Sequence, residues 1–199
     1  MKYFLEDEWN VKATDNAMYY IHAGNSAWED DDFFKTGQED IRELTRHPQF
    51  KDVDTTKVLD FGCGIGRLSF ALAPLFKNVT GTDVSQVMID KANDWKVKKE
   101  IKNVDFIKCH GANLNVFQNN TFSFIYSNIV LQHIENPLRG EMRKELVRVL
   151  KPGCWMNFQD ECFEVYTKGY TDDLYKLGLR DVCVTRINKE SVWVWAKKK

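Results

Sequence analysis

From about residue 57 onward, short apolar runs alternate with stretches whose apolar residues recur every three to four positions. Val58-Leu59-Asp60-Phe61 reads as a buried strand, and Leu68-Ser69-Phe70-Ala71-Leu72 as the helix beyond it. Asn78 to Thr82 predicts a second strand. Ser85 is then placed to cap a helix burying Met88, Ile89, Ala92 and Trp95. Val104–Lys108 and Phe122–Ser127 predict a third and a fourth strand. Asn136-Pro137 carries the cap and first-turn signals of a helix with Leu138, Met142, Leu146 and Val149 inward, stopped by Pro152-Gly153. Cys154 to Gln159 predicts a fifth strand, and Thr171 to Leu177 a short helix closed by Gly178. Alternation of Val182 and Val184, then Val192 and Val194, predicts a terminal hairpin. Strands that alternate with helices imply a parallel sheet covered on both faces, so the core is an α/β doubly wound domain.

The first fifty residues follow another pattern. Thr36 with Glu39 makes a capping box for a helix ending at Pro48. Ahead of it, residues 3–34 hold 8 of the chain's 26 aromatic residues, among them Trp9, Tyr20, Trp28 and Phe33. Residues 1–50 also carry 11 acids against 5 bases, whereas residues 51–199 carry 18 against 23. We therefore divide the chain into a helical, aromatic lid over 1–50 and a main domain over 51–199. The rings either pack the extension onto the sheet or roof a ligand site.

Composition narrows the class. The 199 residues are 43% hydrophobic and 29% charged, which excludes disordered and fibrous chains, and a net charge of −1 makes a nucleic-acid coat unexpected. Five cysteines without a Cys-x-x-Cys pair favour a reducing compartment, and a cytoplasmic location is expected. The opening Met-Lys-Tyr-Phe-Leu-Glu-Asp-Glu reaches acids before any apolar core, so no signal peptide is expected. Cys109 to Ile134 lacks acids and bases but is studded with Asn and Gln, unlike a membrane span.

The candidate chemistry lies in Asp60-Phe61-Gly62-Cys63-Gly64-Ile65-Gly66-Arg67, which follows a predicted strand and opens a predicted helix. Ligands of such sheets bind outside the carboxyl ends of the strands, near the switch in strand order. A dinucleotide fingerprint would need Gly at 67, where Arg67 stands, and no Gly-Lys-Ser/Thr completes a phosphate loop. Asp83, in Gly81-Thr82-Asp83-Val84-Ser85 at the end of the second strand, can accept hydrogen bonds from both hydroxyls of a ribose.

With these residues the sequence resembles the class I S-adenosylmethionine-dependent methyltransferases. Asp60 to Gly66 is similar to that family's first motif, Gly81 to Ser85 to its ribose-binding motif, and Leu150-Lys151-Pro152-Gly153 to the turn before its fifth strand. The resemblance covers about residues 55–197. It implies a Rossmann-like sheet of seven strands, mostly parallel, with the last strand antiparallel. It also implies S-adenosyl-L-methionine as cofactor: Gly62, Cys63 and Gly64 along its methionine part, Asp60 near its amino group, Asp83 at the ribose, Val84 and Met88 against the adenine. Tyr20 and Gly37 fall in segments that resemble the part of small bacterial members covering the cofactor's carboxylate side. His110 stands where the family often has an acid for the adenine amino group. Ala112 and Asn113, by side chain or backbone, are the alternatives there, and Asn128 either contacts the cofactor or positions backbone.

A methyl on a sulfonium is already activated, so positioning and exclusion of water carry most of the task. A hydroxyl or ammonium acceptor also needs a base. His133, Tyr126, Asp160 and His22 are the candidates, with His133, just after the fourth strand, chosen as catalytic. No Asn/Asp-Pro-Pro-aromatic motif follows that strand, no Pro-Cys pair offers a cytosine nucleophile, and no metal site is suggested. A small-molecule acceptor is expected, with an RNA or protein methyltransferase and a non-catalytic cofactor-binding subunit as the other readings.

Overall fold

The computed structural model describes residues 4–23, 25–110, 113–161, 169–187 and 191–199. Its strands are β1 (Lys57–Phe61), β2 (Asn78–Asp83), β3 (Val104–Lys108), β4 (Phe122–Ser127), β5 (Leu150–Glu161), β6 (Leu179–Arg186) and β7 (Ser191–Lys198). They form one seven-stranded sheet of order β3-β2-β1-β4-β5-β7-β6. The β2–β3, β1–β4 and β4–β5 pairs are parallel, and β7 runs antiparallel to both β5 and β6. The expected doubly wound sheet with an antiparallel last strand is therefore present. Every residue of β4 is buried, the continuous pattern of a parallel strand covered on both faces.

The helices are α1 (Phe4–Ile21), α2 (Asp30–Arg46), α3 (Arg67–Leu72), α4 (Gln86–Lys98), α5 (Leu138–Val149) and α6 (Tyr170–Lys176). The chain divides into two compact units, Met1–Asp52 with Gly62–Gly111, and Val53–Phe61 with Ala112–Lys199. In the first unit, the N-terminal helices pack with the segment carrying β2, α4 and β3. Phe34 of α2 lies edge-on to Trp95 of α4, 4.8 Å between ring centres, and Phe70 of α3 lies edge-on to Phe106 of β3 at 5.5 Å.

Four local expectations differ from what is found. Helix α2 begins at Asp30, not Thr36, because Asp30, Asp31 and Asp32 place three acids in its first turn, where the helix dipole favours them. The Thr36 hydroxyl instead bonds back to the Phe33 carbonyl in mid-helix. Trp95 is only half-buried in α4, whereas Met88, Ile89 and Ala92 are buried as expected. The cap position of α5 is Pro137, which has no side-chain cap bond, and its buried face includes Arg139 while Leu138 is half-buried. Finally, Pro152-Gly153 lies inside β5: Leu150 pairs with Phe122 and Trp155 with Phe124, and the intervening residues form a register shift, with Gly153 at φ +74°.

Candidate functional site

The first unit holds a turn almost without side chains. Between β1 and α3, Gly62, Gly64 and Gly66 have φ of +77°, +53° and +90°, left-handed conformations that side-chain-bearing residues rarely adopt. The Gly62 and Cys63 N–H groups both donate to the Thr82 carbonyl, at 2.8 and 2.9 Å, which fixes the turn to the end of β2. Gly66 is also a packing glycine. A Cβ there would lie 2.8 Å from the rings of both Phe70 and Phe106.

Asp83, at the tip of β2, braces this turn. One carboxylate oxygen accepts the Gly64 N–H at 2.9 Å and the other the Ser85 N–H at 2.9 Å. Burial pushes its pKa up, against the stabilising backbone donors Ser85, Gly64 and Val84. Its surface is still partly open, so desolvation and accessibility coexist at this carboxylate. Ser85 caps α4 as expected, accepting the Met88 N–H at 3.1 Å. Met88 is buried and Val84 is half-buried. Cys63 and Cys109 are buried thiols, and burial drives Cys109 to a pKa of about 12, which removes it as a nucleophile.

The N-terminal helices contribute residues that no local pattern announced. Asn10 of α1 accepts from the Ser85 hydroxyl at 2.7 Å and from the Val87 N–H at 3.4 Å, adding a second cap to α4. The Lys91 ammonium reaches the Ala13 carbonyl at 2.7 Å. Ile21 rests on Gly64: a Cβ at that glycine would lie 2.6 Å from Ile21 Cδ1. Arg67 is buried and binds Asp40 at 2.7 Å and Thr36 at 3.1 Å, both on α2. Beside this pair His22 is half-buried, and burial first, then Arg67, lowers its pKa.

Of the residues expected near a cofactor's carboxylate, Tyr20 is half-buried in the last turn of α1, with its hydroxyl bonded to Asp15 at 3.3 Å. Gly37 meets protein rather than open space, since a Cβ there would lie 2.4 Å from the Arg67 carbonyl oxygen. His110 has a largely exposed side chain, 3.9 Å from a carboxylate oxygen of Glu6.

In the second unit, β1 and β4 are neighbours although two further strands separate them in the chain, so the switch in strand order falls between them. Asp60 lies there on β1, with 1% of its surface exposed. Asn128 directly follows β4 and is half-buried. Ile129 next to it has φ +57°, an outlier for a β-branched residue, and its N–H donates to the Gln159 side chain of β5 at 3.1 Å. His133 is exposed on a single 3-10 turn, Leu131–His133. Asn113 accepts the Asn115 N–H at 3.4 Å, and Ala112 lies outside the described residues.

Two proposed bases are otherwise engaged. Tyr126 is buried and stacks on Trp193, 5.6 Å between ring centres. Asp160 is completely buried and held by Arg143 at 2.5 Å and the Tyr170 hydroxyl at 2.7 Å, with Arg139 4.0 Å away. Among the described residues, no group of three His, Cys, Asp or Glu is placed to hold a metal, and no helix is long and apolar enough to cross a membrane.

Residues 58–153 match the family model described as a methyltransferase domain. The chain is 30% identical over 131 residues to a ubiquinone biosynthesis O-methyltransferase of Coxiella burnetii, covering 62% of this chain and 54% of that protein. It is 32% identical over 146 residues to cycloartenol-C-24-methyltransferase 1 of Oryza sativa subsp. japonica, covering 67% and 38%. The chain thus spans about half, or less, of these curated relatives. Among solved structures, the PH0226 protein of Pyrococcus horikoshii OT3 shares the fold, with a TM-score of 0.69 at 22% identity over 84% of this chain and 92% of that one.

Proposed function

We propose that this protein is a class I enzyme that transfers a methyl group from S-adenosylmethionine to a small-molecule acceptor, a reading supported by the match of residues 58–153 to a methyltransferase-domain family model. The observation that carries the reading is the turn of three left-handed glycines braced by Asp83 through the Gly64 N–H. Such a turn admits a ligand against bare backbone, and the partly open carboxylate beside it offers the acceptor oxygens that ribose hydroxyls need.

The residues present suit the cofactor. Gly62, Cys63 and Gly64 would line its methionine part, and Asp60, two residues earlier, supplies a buried carboxylate for its ammonium group. Asp83 would take the ribose, Val84 and Met88 the adenine, and Asn113 or the neighbouring backbone the adenine edge. Asn128 and Tyr20 complete the list of proposed cofactor contacts, and residues 1–50 act as the lid. Bound there, S-adenosylmethionine supplies a methyl already activated by its sulfonium.

The protein's own part is orientation. Holding acceptor and methyl carbon in line can contribute about 7–11 kcal/mol relative to free reactants. Exclusion of water around the reacting atoms would remove the competing hydration of the acceptor. Where the acceptor is a hydroxyl or an ammonium, His133, exposed on the turn after β4, is the proposed proton acceptor. Small molecules are favoured as acceptors because the curated relatives named above are small-molecule methyltransferases by name. A cytoplasmic location is proposed from the sequence alone, whose five cysteines include no Cys-x-x-Cys pair.

The test is transfer of labelled methyl from S-adenosylmethionine into a small-molecule extract, beside calorimetric binding of S-adenosylhomocysteine. Binding and transfer by the wild type, with transfer lost in His133→Ala at unchanged binding, are expected. No binding of either adenosyl compound would end the proposal.

A further inference from the structure

Helix α1 is two helices. Asn16 interrupts it with φ −155° and ψ 85°, and its side chain serves both sides of the break. Its Oδ1 accepts the Tyr19 N–H at 3.1 Å, an N-cap for the short segment that ends at Ile21, while its Nδ2 donates to the Ser26 carbonyl at 3.0 Å. The segment before the break is fixed to α4 by Asn10, through Ser85 and Val87, and by the Lys91 bond to Ala13. Glu6 adds an ion pair with Lys108 of β3. The segment after the break has a different seat. Ile21 lies against Gly64, on the face that the missing side chain leaves bare, and the His22 carbonyl accepts the Trp28 indole N–H at 3.1 Å.

We propose that Asn16 is the pivot of a gate over the glycine turn, and that Ile21 must leave Gly64 before the cofactor's amino-acid end can occupy that face. The inference rests on the reading that this turn takes S-adenosylmethionine. Its physical basis is the difference in anchoring. Asn10, Lys91 and Glu6 hold residues 4–15 to α4 and β3, whereas residues 17–21 form barely more than one helical turn, too short to be stable without its cap. Ile21 and the ligand compete for one surface, so the seated gate lowers the fraction of molecules able to bind, and apparent affinity falls with that fraction. Asn16 is thus a positioning residue, acting through Ile21 rather than by touching the ligand.

Surface plasmon resonance with S-adenosylhomocysteine on the full chain separates the rates. Ile21→Ala, which removes the seat, and Asn16→Ala, which removes the cap, should each raise kon about fivefold, the population shift expected when one helix cap is lost. Release should change less than twofold. Asn16→Asp keeps a capping oxygen and should bind within about twofold of wild type. A kon that fails to rise in Ile21→Ala overturns the gate, whatever the Asn16 variants do. So does faster release at unchanged kon, which would show Ile21 holding the bound ligand rather than standing in its place. Failure of the wild type to bind S-adenosylhomocysteine refutes the cofactor reading instead.

Discussion

Gly37→Ala sets two known effects of opposite sign against each other. Gly37 lies inside α2, where replacing glycine by alanine ordinarily stabilises a helix by about 0.8–1 kcal/mol. Here the new Cβ would meet the Arg67 carbonyl oxygen at 2.4 Å, its carbonyl carbon at 3.1 Å and its Cγ at 3.0 Å. That is about 1 Å inside van der Waals contact, and overpacking of this kind costs about 1–3 kcal/mol. The obstacle is backbone, and it cannot swing aside, because the Arg67 side chain is tied to Asp40 and Thr36 on the helix that would have to retreat. We therefore expect the upper part of the range, a net loss of about 1–2 kcal/mol. For a chain of this length that lowers Tm by about 2–8 °C. Thermal and urea denaturation of the variant would measure it. An unchanged or raised Tm would refute the close α2–α3 packing and return Gly37 to a role at the ligand.

Asp83 has a raised pKa, so it protonates at a higher pH than an ordinary carboxylate, and wild-type affinity for S-adenosylhomocysteine should fall early on acidification. Asp83→Asn should bind weakly with a flat pH profile in calorimetry, and an unchanged profile would remove Asp83 from the site. As to stability, the raised value means that this group's contribution is full below pH 3.8 and is lost as pH rises through the folded value. His22 has the opposite slope. Its lowered pKa gives stability that is present above pH 6.5 and lost as pH falls through the folded value, so His22→Gln should flatten acid unfolding near that range. A His22→Gln curve parallel to wild type would contradict its burial beside Arg67. Asp160→Asn leaves Arg143 facing a neutral partner in the interior and should cost up to about 3–5 kcal/mol in chemical denaturation. Lost methyl transfer with full stability would instead make Asp160 a base.

The amino-acid sequence alone was enough wherever the governing interaction is local. Strands β3 and β4 have the bounds expected from their apolar runs, and Ser85 caps α4 because a capping hydroxyl acts within three residues of itself. The glycine turn was legible for the same reason: left-handed backbone is written into residue type. Local signals misled where two of them competed. The capping box at Thr36 lost to the three acids of the preceding turn, and Pro152-Gly153 marks a register shift within β5, which pairing with β4 decides.

Only the tertiary structure could assign partners. Asp40 and Arg67 are 27 positions apart, Asn10 and Ser85 75 positions, and no periodicity links them. It also separated carboxylates that look alike in sequence. Asp83 keeps an open face, whereas Asp160 lies buried among Arg139, Arg143 and Tyr170. Gly37 became a helix-packing residue only once Arg67 was seen opposite it. A side chain's chemistry is fixed by its atoms, but its protonation, its partners and its freedom to meet a ligand depend on neighbours that folding brings from distant parts of the chain.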